Sequence, residues 1–149
     1  MVRLDKGEPI VAALHEYIGQ QRIRGGSVLG LGAVEAAEIG CWDAARRVYD
    51  RTTIAEPREL LSLVGTISRL EGSPFVHAHV TLGASDHSVV GGHLFEARVA
   101  VTAELVINEA AVASSRVLDD VTGLKLMRFS DPPRKPRRSP ARGTPDGGT

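Results

Sequence analysis

Residues 74–96 read PFVHAHVTLGASDHSVVGGHLFE and carry four of the chain's five histidines. His77 and His79 sit two apart within a run of strand-forming residues, Phe75, Val76, Val80, Thr81 and Leu82. Residues i and i+2 of a strand share a face. Residues 83–88, GASDHS, read as a turn, and Val89-Val90 resumes the extended pattern. A turn centred on Asp86 sets His93 opposite His79 and Phe95 opposite His77 in an antiparallel pair. Directly opposite residues share a face, with Cβ atoms about 4.5–5.5 Å apart. Three imidazoles then converge on one patch of one hairpin.

Three neutral imidazoles suit a borderline-soft divalent metal, zinc above all, and leave a fourth position for water or a ligand. Gly91-Gly92, just before His93, permits close approach of a backbone or a ligand. A slip of one residue in register would send His93 to the other face. The plainer alternative is that His77 and His79 are half-buried strand histidines, each bonded to a neighbour.

The chain has 149 residues, enough for one domain with a real core, and is 42% hydrophobic and 24% charged. Its length holds no apolar run near the ~18 residues of a membrane helix. The start, MVRLDKGEP, lacks the apolar core of a signal peptide. A single cysteine, Cys41, excludes an intrachain disulfide and fits a reducing cytoplasm. Cys41 itself reads as a small core residue.

Along the chain, Val2-Arg3-Leu4 reads as a first strand and Asp5-Lys6-Gly7 as a turn. Glu8-Pro9 opens a helix, with Pro9 in the first turn and Glu8 near the positive dipole end. Ile10, Val11, Leu14, Tyr17 and Ile18 recur at helical spacing, and His15 falls at the boundary. Residues 27–34 and 36–42 read as two strands, 43–46 as a turn, and 47–54 as an outer strand. The GGSVLGLG run lacks the strand–turn–helix order and the Gly-Lys-Ser/Thr of a phosphate loop, so close backbone packing explains its glycines. Residues 60–67 are dense enough for a central strand. Residues 97–108 form a long strand with Val99, Val101, Ala103, Leu105 and Ile107 on one face. Residues 109–115 are a connection or short helix, and 124–129 an edge strand. The fold class is α+β: a single compact domain over residues 1–129, with a curved, mainly antiparallel sheet of about seven to eight strands and one principal helix.

Residues 130–149, SDPPRKPRRSPARGTPDGGT, contain no large apolar residue and are expected to be a disordered basic tail. Arg134, Lys135, Arg137, Arg138 and Arg142 against Asp131 and Asp146 give the tail a net charge of +3, so residues 1–129 carry −3. The folded part is therefore no uniformly basic nucleic-acid surface. The tail is where DNA or RNA phosphates would be met, if anywhere, with strong salt dependence; the bland alternative is a solubilising tail.

Five segments, RLDKGEPIVAAL, GGSVLGLGAVEAAEIGCWD, ELLSLVGTIS, PFVHAHVTLG and VVGGHLFEA, resemble in order the PPC (plants and prokaryotes conserved) domain over about residues 2–129. That family stands alone in prokaryotes and follows AT-hooks in plant nuclear proteins. The resemblance implies a largely antiparallel sheet with one flanking helix, assembly as a homotrimer, and a metal held where the His-x-His and Gly-Gly-His segments meet. Carried onto this chain, the metal ligands are His77, His79 and His93. The plant Arg-Gly-Arg-Pro hook has no match in the tail. The plant Gly-Arg-Phe-Glu-Ile-Leu segment is replaced by Glu56-Pro57-Arg58-Glu59-Leu60-Leu61.

These readings give a DNA-associated regulatory trimer with a three-histidine metal site as the first expectation. A metal-dependent enzyme or small-molecule-binding protein using the same histidines is the second. Such an enzyme needs a general base nearby. Alternation puts Glu96 on the face opposite His93, Asp86 and His87 lie in the turn, and Thr81 shares the face of His77 and His79. An interaction scaffold with a purely structural metal, or none, is the third.

Overall fold

The computed structural model describes residues 1–129. β1 (Val2–Asp5) leads through a turn at Gly7 into α1 (Ile10–Gln20). Pro9 is the N-cap, in an extended conformation, and has no side chain to satisfy the first amides. Ile10, Leu14 and Ile18 are fully buried on one helical face, as the spacing requires. The strands that follow are β2 (Gly26–Asp43), β3 (Val48–Ile54), β4 (Arg58–Leu70), β5 (Ser73–Gly83), β6 (Val89–Glu109), β7 (Ser114–Leu118) and β8 (Lys125–Phe129).

All eight strands join one sheet in the order β3-β2-β6-β5-β4-β7-β8, with β1 on β6. β2 also pairs with β4, so β2, β6, β5 and β4 close into a ring. Every pairing is antiparallel except β4 with β7. The sheet is thus curved and mixed, with one helix. α1 packs against β5 and β6. Val76, Ala78, Val80 and Leu82 of β5 face the core, while Phe75, His77, His79 and Thr81 alternate outward.

Four expectations need correction. Residues 27–34 and 36–42 are parts of one 18-residue strand, β2. Its register against β6 shifts between Gly32 and Val34, between Val34 and Ala36, and between Glu38 and Ile39, and these bulges broke the alternation that would have shown one strand. The first bulge turns Val101 outward, 69% exposed, although it was expected to share a face with the buried Val99, Ala103 and Leu105. Residues 109–115 hold no helix; β7 begins at Ser114, anchored by its hydroxyl on the Ile67 carbonyl. Cys41 is exposed, because it lies where β2 has run past the core to pair with the edge strand β3.

The glycines of β2 do serve close packing. A Cβ on Gly32 would enter the shell of the Thr102 carbonyl on β6. The expected tail, residues 130–149, lies outside the described residues.

Candidate metal centre

The hairpin register is the expected one: His79 pairs with His93, Thr81 with Gly91 and Gly83 with Val89. The β5–β6 ladder ends at His79–His93. Beyond it β6 bulges, since Glu96 pairs with Glu38 and Leu94 with Ile39, leaving Phe95 as the extra residue. Phe95 therefore packs beside His93, with ring centroids 4.9 Å apart, instead of closing the ladder opposite His77.

His77, His79 and His93 come together. One nitrogen from each lies within 4.8 Å of the other two. Ring centroids are 5.1 Å apart for His77–His79, 5.0 Å for His77–His93 and 5.6 Å for His79–His93. Gly91 and Gly92 serve backbone approach: a Cβ on Gly92 would sit 2.8 Å from the Gly40 carbonyl oxygen on β2.

Electrostatics favour the neutral form of His77 and His93. Burial, with His77, His79, Arg116 and Arg51 adding to it, lowers the His93 pKa to about 4. Burial, then Arg116 and His79, also holds His77 below the ordinary imidazole range. The Nδ1 atom of His93 is buried with no hydrogen-bond partner among the described residues. In the tautomer with its proton on Nε2, a neutral imidazole presents at such a nitrogen a lone pair fit for an ion.

The cluster borders a cleft of about 380 Å³. Its apolar walls include Trp42, Tyr49, Phe75 and Leu124, and its polar ones Arg47, Arg116 and Lys125. Tyr49 stacks on His93 at 4.8 Å and meets Trp42 and Phe95 edge-on. Four of the six aromatic residues of this aromatic-poor chain thus gather at the histidines. Arg116 is held by the Ser68 hydroxyl (3.1 Å), the Thr66 hydroxyl (3.0 Å) and the Lys125 carbonyl (2.8 Å). Its guanidinium also lies 3.3 Å from Nδ1 of His77.

Arg116, Tyr49 and Trp42 were not among the sequence candidates. One signal for Arg116 was available: Asp119-Asp120-Val121-Thr122-Gly123 between two alternating segments is a hairpin loop, and it implies the strand that carries Arg116.

The candidate bases lie elsewhere. Both Glu96 carboxylate oxygens face α1, accepting from the amides of Val11 (2.7 Å) and Ala12 (3.1 Å). Glu96 thereby caps the helix that Pro9 leaves open, on the face away from the histidines. Glu8, expected at this dipole end, accepts instead from the Asp5 amide. Asp86 accepts from the Ser88 amide and hydroxyl in the turn, seven residues along the chain from both His79 and His93. His15 reaches the core edge, its Nε2 accepting from the Val76 amide at 3.1 Å.

Residues 1–111 match the family model of the Plants and Prokaryotes Conserved (PCC) domain. A metal-containing protein of Archaeoglobus fulgidus is 37% identical, with 85% of this chain and 90% of that one covered and a TM-score of 0.79. A plant- and prokaryote-conserved protein of Pyrococcus horikoshii is 30% identical, with coverage of 85% and 88% and a TM-score of 0.80. A candidate DNA-binding protein of Bacteroides thetaiotaomicron is 29% identical, with coverage of 87% and 90% and a TM-score of 0.82. No curated protein matches the chain. With the family model spanning most of its length, this chain belongs to the plants and prokaryotes conserved domain family.

Proposed function

We propose that residues 1–129 form a metal-binding module in which His77, His79 and His93 hold one divalent ion, zinc, and that the module works as a homotrimer. The observation that carries this is the approach of three imidazole nitrogens to within 4.8 Å of one another, with a buried nitrogen on His93 that has no hydrogen-bond partner among the described residues. Imidazole sets favour zinc, copper or nickel over calcium or magnesium, and zinc accepts three histidines with a further position open. The likeness to a metal-containing protein at 37% identity supports the reading.

A regulatory role on DNA belongs to the same proposal. It is supported by the candidate DNA-binding relative and by the RKPRR run of the tail. Removing residues 130–149 is expected to weaken DNA binding several-fold at low salt; equal affinity of the truncated protein removes the tail's part. A cytoplasmic location rests on the single cysteine. Among the described residues, no helix is long and apolar enough to cross a membrane.

A second reading, ligand binding at the same site, is favoured by the cleft. An ion there would supply Lewis acidity and lower the pKa of a bound water. Among the described residues no carboxylate lines the cleft to act as base, and Glu96 and Asp86 are committed elsewhere. The geometry thus favours binding over catalysis.

The deciding experiment is elemental analysis of the untagged protein beside His79→Ala. About one zinc per chain in the wild type, and little in the variant, is the expected result. A wild type that takes up no metal after incubation with zinc overturns the site.

A further inference from the structure

Among the described residues, three cations line the cleft beside the histidines and no acid does. Composition argues against this by chance, since residues 1–129 carry a net −3. Two of the cations crowd one ring: the Arg116 guanidinium lies 5.4 Å and the Lys125 ammonium 5.8 Å from the Phe75 centroid. Neither forms an ion pair among the described residues, whereas nearby Arg51 pairs with Glu38 at 3.0 Å. Arg47 donates to the carbonyls of Asp120 and Val121, and its charge also acts on the Asp119 carboxylate in the adjoining loop, so Arg116 and Lys125 are the two cations without an acid beside them. Like charges gathered at an apolar-walled recess with no acid among its described lining residues are a site for an anion.

The hydrogen bond from Arg116 to His77 links this cleft to the metal. A guanidinium only donates, so Nδ1 of His77 accepts from it and the ring's proton sits on Nε2. In that state neither nitrogen is free for an ion. Coordination through Nδ1 takes the lone pair that Arg116 uses. Coordination through Nε2 moves the proton to Nδ1, which then confronts a donor. Either way an ion at His77 breaks the contact and releases an Arg116 N–H.

We propose that this cleft binds a small organic oxyanion with a flat apolar body, its charge met by Arg116, Lys125 and Arg47 and its body by Trp42, Tyr49 and Phe75, and that an ion on the histidines tightens this binding by freeing Arg116. The second clause rests on the metal reading above; the first does not. A cleft of about 380 Å³ lies at the small end of ligand sites, which sets the size of the body. Carboxylate and phosphate both match a guanidinium fork.

Trp42 is the chain's single tryptophan and lines the cleft, so its fluorescence reports on occupancy. The full-length protein, metal-free and zinc-loaded, is titrated with benzoate, phenyl phosphate and neutral benzamide. The expected result is a saturable change with at least one oxyanion, at least tenfold weaker response to benzamide, and the stronger oxyanion naming the head group. Arg116→Met is expected to weaken binding at least fivefold. Lys125→Met, an exposed change that spares the hydrogen bonds of Arg116, is expected to weaken it at least threefold, and Arg3→Met to leave it unchanged. Zinc is expected to tighten the oxyanion at least threefold, and the oxyanion to tighten zinc by the same factor. No saturable response, an equal response to benzamide, or unchanged affinity in Lys125→Met overturns the anion site. Equal affinity with zinc bound and absent overturns the coupling. Oxyanion binding in a protein that takes up no zinc leaves the cleft standing and removes the metal reading.

Discussion

His79 and His93 face each other as the last pair of the β5–β6 ladder, with ring centroids 5.6 Å apart. What holds them opposite is the fit of β6 between its two neighbours. Gly92 pairs with Val80 on one side and lies against the Gly40 carbonyl on the other. The site therefore depends on residues that carry no chemistry of their own.

Gly92→Ala tests this dependence. The added Cβ would meet the Gly40 carbonyl oxygen at 2.8 Å, a backbone atom that cannot turn aside. Overpacking of this kind costs about 1–3 kcal/mol. The hairpin is expected to shift against β2, carrying His93 from His79. Zinc affinity is expected to fall by at least tenfold, measured by competition with a chromogenic chelator, while far-ultraviolet circular dichroism stays that of the wild type. Unchanged zinc affinity would show that the pairing tolerates the shift.

Acid stability follows from His93. Its pKa is lowered from 6.5 to about 4 in the fold, chiefly by burial, and returns to the ordinary value on unfolding. Between those values the unfolded chain binds more protons than the folded one, so stability rises with pH across that window. The penalty is complete below about pH 4 and gone above the unfolded value. His77 shifts in the same direction. The urea midpoint of the metal-free protein is expected to fall between pH 7 and pH 4.5, and to fall less in His93→Gln. Equal falls would assign the acid response to other groups.

The parts legible in the sequence were those governed by short-range period. Helix α1 showed in the spacing of Ile10, Leu14 and Ile18, and the histidine register followed from a turn centre and parity alone. Bulges defeated the same rule in β2 and the pairing expected at Phe95, because an extra residue breaks the alternation and the register locally. Arg116 was out of reach for another reason. It joins His77 from 39 residues away, on a strand that pairs in parallel with β4, and no local pattern encodes that meeting. The role of Glu96 was half legible: parity excluded it from the metal face, but its service to the helix is a contact across 85 residues.

Glu96 caps α1 from outside the helix, and its loss should be felt as stability without loss of the site. Removing a capping acceptor costs about 0.5–2 kcal/mol, and a carboxylate at the positive dipole end adds about 0.3–1 kcal/mol. Glu96→Ala is expected to destabilise by about 1–3 kcal/mol in urea unfolding, summing those two effects. Glu96→Gln, which retains one acceptor, is expected to lose less. Zinc content at saturation should match the wild type in both, since the carboxylate faces away from the histidines. Reduced zinc content in a folded Glu96→Gln would instead place the carboxylate in the metal's surroundings.

The outer face of the sheet carries the last prediction, which concerns assembly. Val64 pairs with His79 on one side and Leu29 on the other, and Leu29 pairs with Val106. Val64, Leu29 and Val106 are 54%, 46% and 39% exposed, so an apolar row crosses three strands and ends at a proposed metal ligand. A contiguous exposed apolar row marks an interaction surface, and the proposed homotrimer would cover it. Leu29→Asp places a charge mid-row with no cation opposite and would be buried at a cost on assembly. Sedimentation equilibrium is expected to find a trimer in the wild type and a monomer in Leu29→Asp at micromolar concentration. Glu16→Ala, an exposed change on α1 and away from the row, is expected to remain trimeric. A trimeric Leu29→Asp would move the interface to another face of the sheet, and a monomeric wild type would remove the trimer altogether.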